Sequence, residues 1–115
     1  LFVPSVGHFR QGMLVSIPLH TGPLNLTGAH IHACLAARYQ NTPAIRVLPL
    51  APAPTLDPQA LNDTDTLEIC VYPNDDHDQV LLVARLDNLG KGASGAAVQN
   101  IAIMLNLSLP EDEHV

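Results

Sequence analysis

The sequence predicts an α+β domain with a mixed, mostly antiparallel sheet and helices on one face. Three observations predict it. Segments 12–20, 67–72 and 80–86 alternate apolar and polar residues, as half-buried strands do. Segment 27–40 carries an apolar stripe at helical spacing, and in segment 86–105 a strand runs through a Gly-rich turn into a second helix. The resulting order is strand, strand, helix, strand, strand, strand, helix, which is satisfied by helices packed on a sheet.

Composition narrows the class of molecule. At 115 residues and 47% hydrophobic, the chain is long enough to bury one modest core, so residues 1–115 are expected to form a single domain. Five basic against eleven acidic residues give a net charge of −6, which argues against nucleic acid or an anionic membrane as partner. No apolar run approaches the ~20 residues of a membrane span, and nothing resembles a signal peptide, so a cytoplasmic, soluble chain is expected. Cys34 and Cys70 have no metal-ligand spacing and read as a pair of buried thiols. The chain starts at Leu1 on an already strand-like LFVP, and is expected to be cut from a longer protein.

The elements follow in order. In GMLVSIPLH, Met13, Val15, Ile17 and Leu19 share one face and Ser16 and His20 the other. Pro18 has no backbone donor, so that strand should lie at an edge or carry a bulge. After the TGPLN loop, Ile31, Cys34, Leu35 and Tyr39 form the stripe of the first helix, with Asn25 or Thr27 as cap and Asn41-Thr42-Pro43 as stop. His30 and His32 sit two positions apart, pointing to nearly opposite sides of a helix, which is not metal-ligand spacing; they read as solvated or packing residues.

Segment 44–48 reads as a short strand, after which Pro49, Pro52, Pro54 and Pro58 prevent regular sheet until about Asp65. Within that stretch DPQAL suits one helical turn, Asp57 capping and Pro58 in first position. Segments 67–72 and 80–86 should form an antiparallel hairpin joined by PNDDHD. Its Asp75, Asp76, His77 and Asp78 lack the Gly and terminal Glu of an EF-hand loop and read as a solvated turn. No metal site is expected.

The last stretch, LDNLGKGASGAAVQNIAIML, concentrates the unusual chemistry. Gly90 and Gly92 permit backbone conformations closed to other residues. A helix mouth with free N–H groups is a seat for an amide or an anion, and Asn88 and Lys91 add directed donors. The alternative is that the glycines serve only the turn, and Asn88 or Asp87 only caps the helix. Ala93, Ala97, Ile101, Met104 and Leu105 form the expected buried stripe, and the small or apolar Gly95, Ala96, Val98 and Ile103 call for cover on a second side. Gly95 costs about 1 kcal/mol against Ala in a helix, so a close neighbour is expected there. No Ser/His/Asp or Cys/His set declares itself by motif.

DNLGKGASGAAVQN resembles the closing signature of N-acetyl-gamma-glutamyl-phosphate reductases, a DNL-x-KGA-x-G-x-AVQN run. FVPSVGHFRQGMLVSIPL and ARYQNTPAIRVLP resemble the family's strand and helix-to-strand segments in the same order, so nearly all of the chain finds a counterpart. A shorter resemblance to aspartate-semialdehyde dehydrogenases covers mainly DNLGKGA. The resemblance implies a fold like the C-terminal domain of glyceraldehyde-3-phosphate dehydrogenase-like enzymes. It also implies a whole enzyme that reduces an acyl phosphate with NADPH to N-acetyl-glutamate semialdehyde, a step of arginine biosynthesis.

The NADP-binding Rossmann domain and the catalytic Cys and His segments are then expected upstream, so no catalytic residue is carried over and the fragment alone should be inactive. Asn88, Lys91 and Gly92 are carried over as contacts near the nicotinamide. The implied partners are the N-terminal NADP domain of the same chain, a small-molecule substrate and further copies in a homo-oligomer. The sequence departs from the family where Gln11-Gly12-Met13 stands for a frequent RGI, and at Ala96, often Gln. The competing class is a free-standing binding or assembly module without catalysis.

Overall fold

The two longest alternating segments pair with each other. In the computed structural model, which describes residues 1–108, β4 (Leu67–Asn74) and β5 (Gln79–Leu86) form an antiparallel hairpin in which Leu67 faces Leu86 and Asn74 faces Gln79. A 3₁₀ turn, Asp75–His77, closes it, ending on Asp78 in the left-handed region at φ 51°. Short polar side chains tolerate that conformation. On the far side of β5 lies β2 (Met13–His20), antiparallel, and β2 in turn carries the three-residue β1 (Val3–Ser5). β3 (Ile45–Val47) joins β4 in parallel, giving the mixed order β1-β2-β5-β4-β3.

Pro18 lies inside an internal strand, yet its missing donor costs no ladder bond on the β1 side. β1 reaches only Ser16, so nothing pairs with Pro18 there.

The sheet is covered differently on its two faces. α1 (Gly28–Tyr39) packs over β3 and β4, and Gly28 sits so close to Pro73 that an added Cβ would lie 2.4 Å from that side chain. By alternation, Leu67, Ile69 and Val71 share the face of Pro73. Val71 and the neighbouring Val80 are 0% and 2% exposed, each worth about 1.5–3 kcal/mol relative to an exposed position. Thr27 caps α1, accepting from His30 N while His30 Nδ1 accepts from Thr27 N. Such a cap is worth about 1 kcal/mol. His32 Nε2 meets the Leu48 carbonyl at 2.8 Å, so both histidines have structural partners.

The opposite face carries Glu68, Cys70 and Val83, all buried under the proline-rich segment 48–58. Tyr72 Oη donates to the Ala53 carbonyl at 2.9 Å and Arg85 Nη1 to that of Asp57 at 3.2 Å, which ties the segment down. Glu68 pairs with both Arg46 and Arg85 below it. The DPQAL stretch forms successive turns, with Asp57 Oδ1 accepting from Gln59 N. The acidic hairpin turn is more than solvated surface. Asp75 Oδ1 accepts from Gly28 N at 2.9 Å and so anchors the start of α1.

Two expectations are corrected. Cys34 is exposed and only Cys70 is buried, because α1 turns Ile31, Leu35 and Tyr39 toward the sheet and leaves Cys34 beside that stripe. In α2 (Gly95–Met104), which follows a π-helical turn at Gly90–Ser94, the expected stripe is solvent-facing: Ala93, Ala97, Ile101, Met104 and Leu105 are all exposed. The packed side is Gly95 and Ala102, with Gln99 half-buried between them. Steric room decides this. A Cβ on Gly95 would stand 1.7 Å from Asp65 Oδ1, so this smallest residue marks the side of closest approach, and Gln99 Nε2 adds a contact to the Asp65 carbonyl at 3.4 Å.

Candidate functional site

The end of β5 delivers Asp87 into a cleft of about 500 Å³ whose walls include Arg10, Gln11, Asp63, Asp65, Asp87 and Gly90, and Asn88 follows it in the chain, outside that lining. Asp87 is the node. It is 1% exposed, and its carboxylate accepts from Leu89 N at 2.9 Å, Asp63 N at 2.8 Å and Gln11 Nε2 at 2.9 Å. Burial by itself pushes this carboxyl upward. The backbone N–H groups of Asp63, Leu89 and Gly90, with the Arg10 charge, outweigh it and hold Asp87 below its ordinary range.

This arrangement settles the expected anion seat at the helix mouth differently. Three of the turn's N–H groups are already spent: Leu89 N on Asp87 Oδ1, Gly92 N on the Asp87 carbonyl at 2.9 Å, and Ser94 N on the Leu89 carbonyl at 3.4 Å. The anion in the seat is Asp87 itself. Gly90 and Gly92 do not use positive φ. Gly90 is small because a Cβ there would lie 3.1 Å from both Asp87 Oδ2 and the Thr64 carbonyl.

Of the carried-over residues, Asn88 is held most firmly and is half-buried. Its Oδ1 accepts from Gly12 N at 2.7 Å. Because that partner is a donor, the amide orientation is fixed, and Nδ2 is left without a partner among the described residues. Asn88 therefore presents a donor. It does not cap the helix; Asp87 serves the Leu89 N–H. Gly92 lies exposed on the same turn. Lys91 is directed to α2, where its Nζ donates to Gln99 Oε1.

Gln11, Gly12 and Asp63 complete the site without having been singled out as site residues. Gln11 is 7% exposed and donates from one nitrogen to Asp63 Oδ1 at 2.8 Å and to Asp87. Gly12 has φ +112°, and a Cβ there would meet the Pro58 carbonyl at 2.5 Å, so only glycine fits. Asp63 is left-handed at φ 62°, which aims its N–H and its carboxylate into the same node. The detectable signal was a Gln-Gly pair just before a strand.

A half-sheet over one helix, with a strand-to-helix turn closing a polar cleft, is the frame in which the comparisons fall. Residues 1–88 match the family described as semialdehyde dehydrogenase, dimerisation domain, and the chain belongs to that family. Curated relatives are named N-acetyl-gamma-glutamyl-phosphate reductase. The Burkholderia ambifaria protein is 48% identical over 94% of this chain and 36% of its own length. Proteins named N-acetyl-gamma-glutamyl-phosphate reductase 2 from Pseudomonas putida and a Nostoc species are 47% and 48% identical, over 91% and 97% of this chain and 35% and 37% of theirs. The chain thus spans about a third of the length of these relatives. Among the described residues no helix is long and apolar enough to cross a membrane, and no group of three metal-binding side chains assembles.

Proposed function

We propose that this chain is the C-terminal domain of an NADPH-dependent N-acetyl-gamma-glutamyl-phosphate reductase, supplying subunit contacts and one wall of the active site in arginine biosynthesis. The observation that carries this reading is 47–48% identity across almost the whole chain to proteins so named. The nucleotide and the reacting cysteine and histidine belong, on this reading, to the part of the relatives' length that the chain does not span.

The residues of the turn fit the edge of a nicotinamide. Asn88 offers a fixed outward donor suited to the carboxamide carbonyl, beside the small Gly92. Lys91, tied to Gln99, steadies the turn from the α2 side. NADPH supplies the hydride when bound; this domain's residues orient the ring. The exposed Val98, Ile101, Met104 and Leu105 of α2 suit an apolar contact with the NADP-binding domain of the same protein. On the sheet, Val3 and Leu81, 41% and 38% exposed, lie on the face away from α1 and suit contact with a second copy.

The test is a coupled assay run in the NADP-reducing direction, with the semialdehyde and phosphate, on the full-length protein and on residues 1–115 alone. The full-length protein should turn over and the isolated chain should not. Turnover by the isolated chain, or none by the full-length protein, refutes the reading.

A further inference from the structure

Two residues just before β2 meet two residues after β5 side by side. Gln11 Nε2 donates to Asp87 Oδ2 at 2.9 Å, and Gly12 N donates to Asn88 Oδ1 at 2.7 Å. The same Gln11 nitrogen reaches Asp63 Oδ1 at 2.8 Å. Both amide hydrogens of one buried side chain are therefore spent on carboxylates from two other segments. Asn62 Nδ2 in turn donates to the Gln11 carbonyl at 3.1 Å, which fixes Gln11 from the backbone side. Without this shared donor, the Asp63 and Asp87 segments are joined only by the Asp63 N–H on Asp87 Oδ2 at 2.8 Å. The two carboxylates then repel with one fewer donor between them, and the turn that carries Asn88 keeps only the Gly12 N–H to tie it to the segment before β2.

We propose that Gln11 is a positioning residue for the cofactor-facing turn: by bridging Asp63 and Asp87 it holds the turn that carries Asn88 against the segment before β2. This rests on the reading of Asn88 given above. Gln11 touches no reacting atom. Its loss lowers the fraction of molecules whose turn is in the binding arrangement, and apparent affinity falls by that fraction while the chemical step in the bound complex is untouched. An arginine has enough N–H donors to serve both carboxylates at once, so it should substitute where an apolar side chain of similar length cannot.

The experiment uses the full-length protein, with NADPH affinity measured by titration without substrate and kcat measured at saturating NADPH. Gln11→Met should weaken NADPH binding by about fivefold, as a turn competent one-fifth of the time requires, and leave kcat unchanged. Gln11→Arg should restore the affinity. Should Gln11→Met not fold, Asp63→Gly replaces it. That variant removes one end of the bridge at a left-handed position glycine accepts, and it too should weaken NADPH binding. Unchanged affinity in the folded variant, or a fall in kcat at unchanged affinity, overturns the proposal. Asn88→Asp is measured in parallel: unchanged affinity there overturns the underlying reading of Asn88. Weakened affinity there beside an unchanged Gln11→Met overturns the positioning role alone.

Discussion

On the proposed reading Asn88 has two separable jobs, one inside the domain and one facing outward, and two substitutions divide them. Its Oδ1 satisfies the N–H of buried Gly12 at 2.7 Å. Asn88→Ala strands that donor, and an unsatisfied buried donor costs about 1–3 kcal/mol. In the longer full-length protein such a loss lowers the melting temperature by roughly 2–4 °C per kcal/mol. Asn88→Asp keeps an acceptor for Gly12. Its charge-assisted bond to that N–H is stronger than the neutral one, which offsets repulsion from Asp87. What Asn88→Asp removes is the outward amide donor, presenting an anion to a carbonyl in its place. The expected outcome in the full-length protein is a lowered melting temperature for Ala but a near-normal one for Asp. NADPH affinity should be weakened about tenfold or more in both, since each 1.4 kcal/mol is a factor of ten. Thermal melts and NADPH titrations on the same preparations supply both numbers. If Asn88→Asp binds NADPH as the parent does, the outward donor has no cofactor role and Asn88 serves Gly12 alone.

The Asp87 carboxyl is held below its ordinary range in the fold. Its contribution is therefore complete above the unfolded value near pH 4 and is lost as pH falls through the depressed folded value. Urea midpoints between pH 5 and 2 should fall more steeply for the parent than for Asp87→Asn, and parallel curves would contradict this. Gly95→Ala should destabilise by at least about 1 kcal/mol although alanine is the better helix former, because its methyl collides with Asp65; a higher urea midpoint in the variant refutes that packing. Of the two thiols, exposed Cys34 should react with a disulfide reagent quickly and buried Cys70, whose thiol burial pushes upward, only slowly; two equal fast phases would show Cys70 to be accessible. Sedimentation of residues 1–115 should show self-association that charge substitutions at Val3 and Leu81 weaken, and a monomer at high concentration counts against the sheet-face contact.

The sheet was legible because its signal is local. Apolar runs with partial alternation in residues 13–20, 67–72 and 80–86 mark strands whatever their neighbours. The hairpin follows from the short connection between β4 and β5, whereas the place of β3, parallel to β4 across the proline-rich stretch 48–66, was not legible. The cap of α1 was legible to within Asn25 or Thr27, and Thr27 takes the role. The stripe of α2 was not, because period alone cannot choose between faces when nearly every residue is apolar or small. Space chose the face: Gly95 is where Asp65 presses in, and Asp65 is thirty positions away in sequence. Cys34 illustrates the same limit on α1. It fits the apolar period, yet the helix rotates by enough to expose it.

The site divides along the same line. Asn88, Lys91 and Gly92 could be proposed from sequence because a Gly-rich strand-to-helix turn is a contiguous pattern, whereas the partners that give the turn its geometry come from separated segments. Gln11 and Asp87 are seventy-six positions apart and Gln11 and Asp63 fifty-two, and no spacing rule connects them. The expected use of the helix mouth as an anion seat also failed for a physical reason. A carboxylate already in the chain, next to the turn, takes the exposed N–H groups at lower entropic cost than any ligand from solution. With Asp87 in that seat, the Leu89 and Gly92 N–H groups are taken. On the proposed reading, recognition falls to the amide of Asn88, whose Oδ1 is taken by Gly12 and whose Nδ2 has no partner among the described residues.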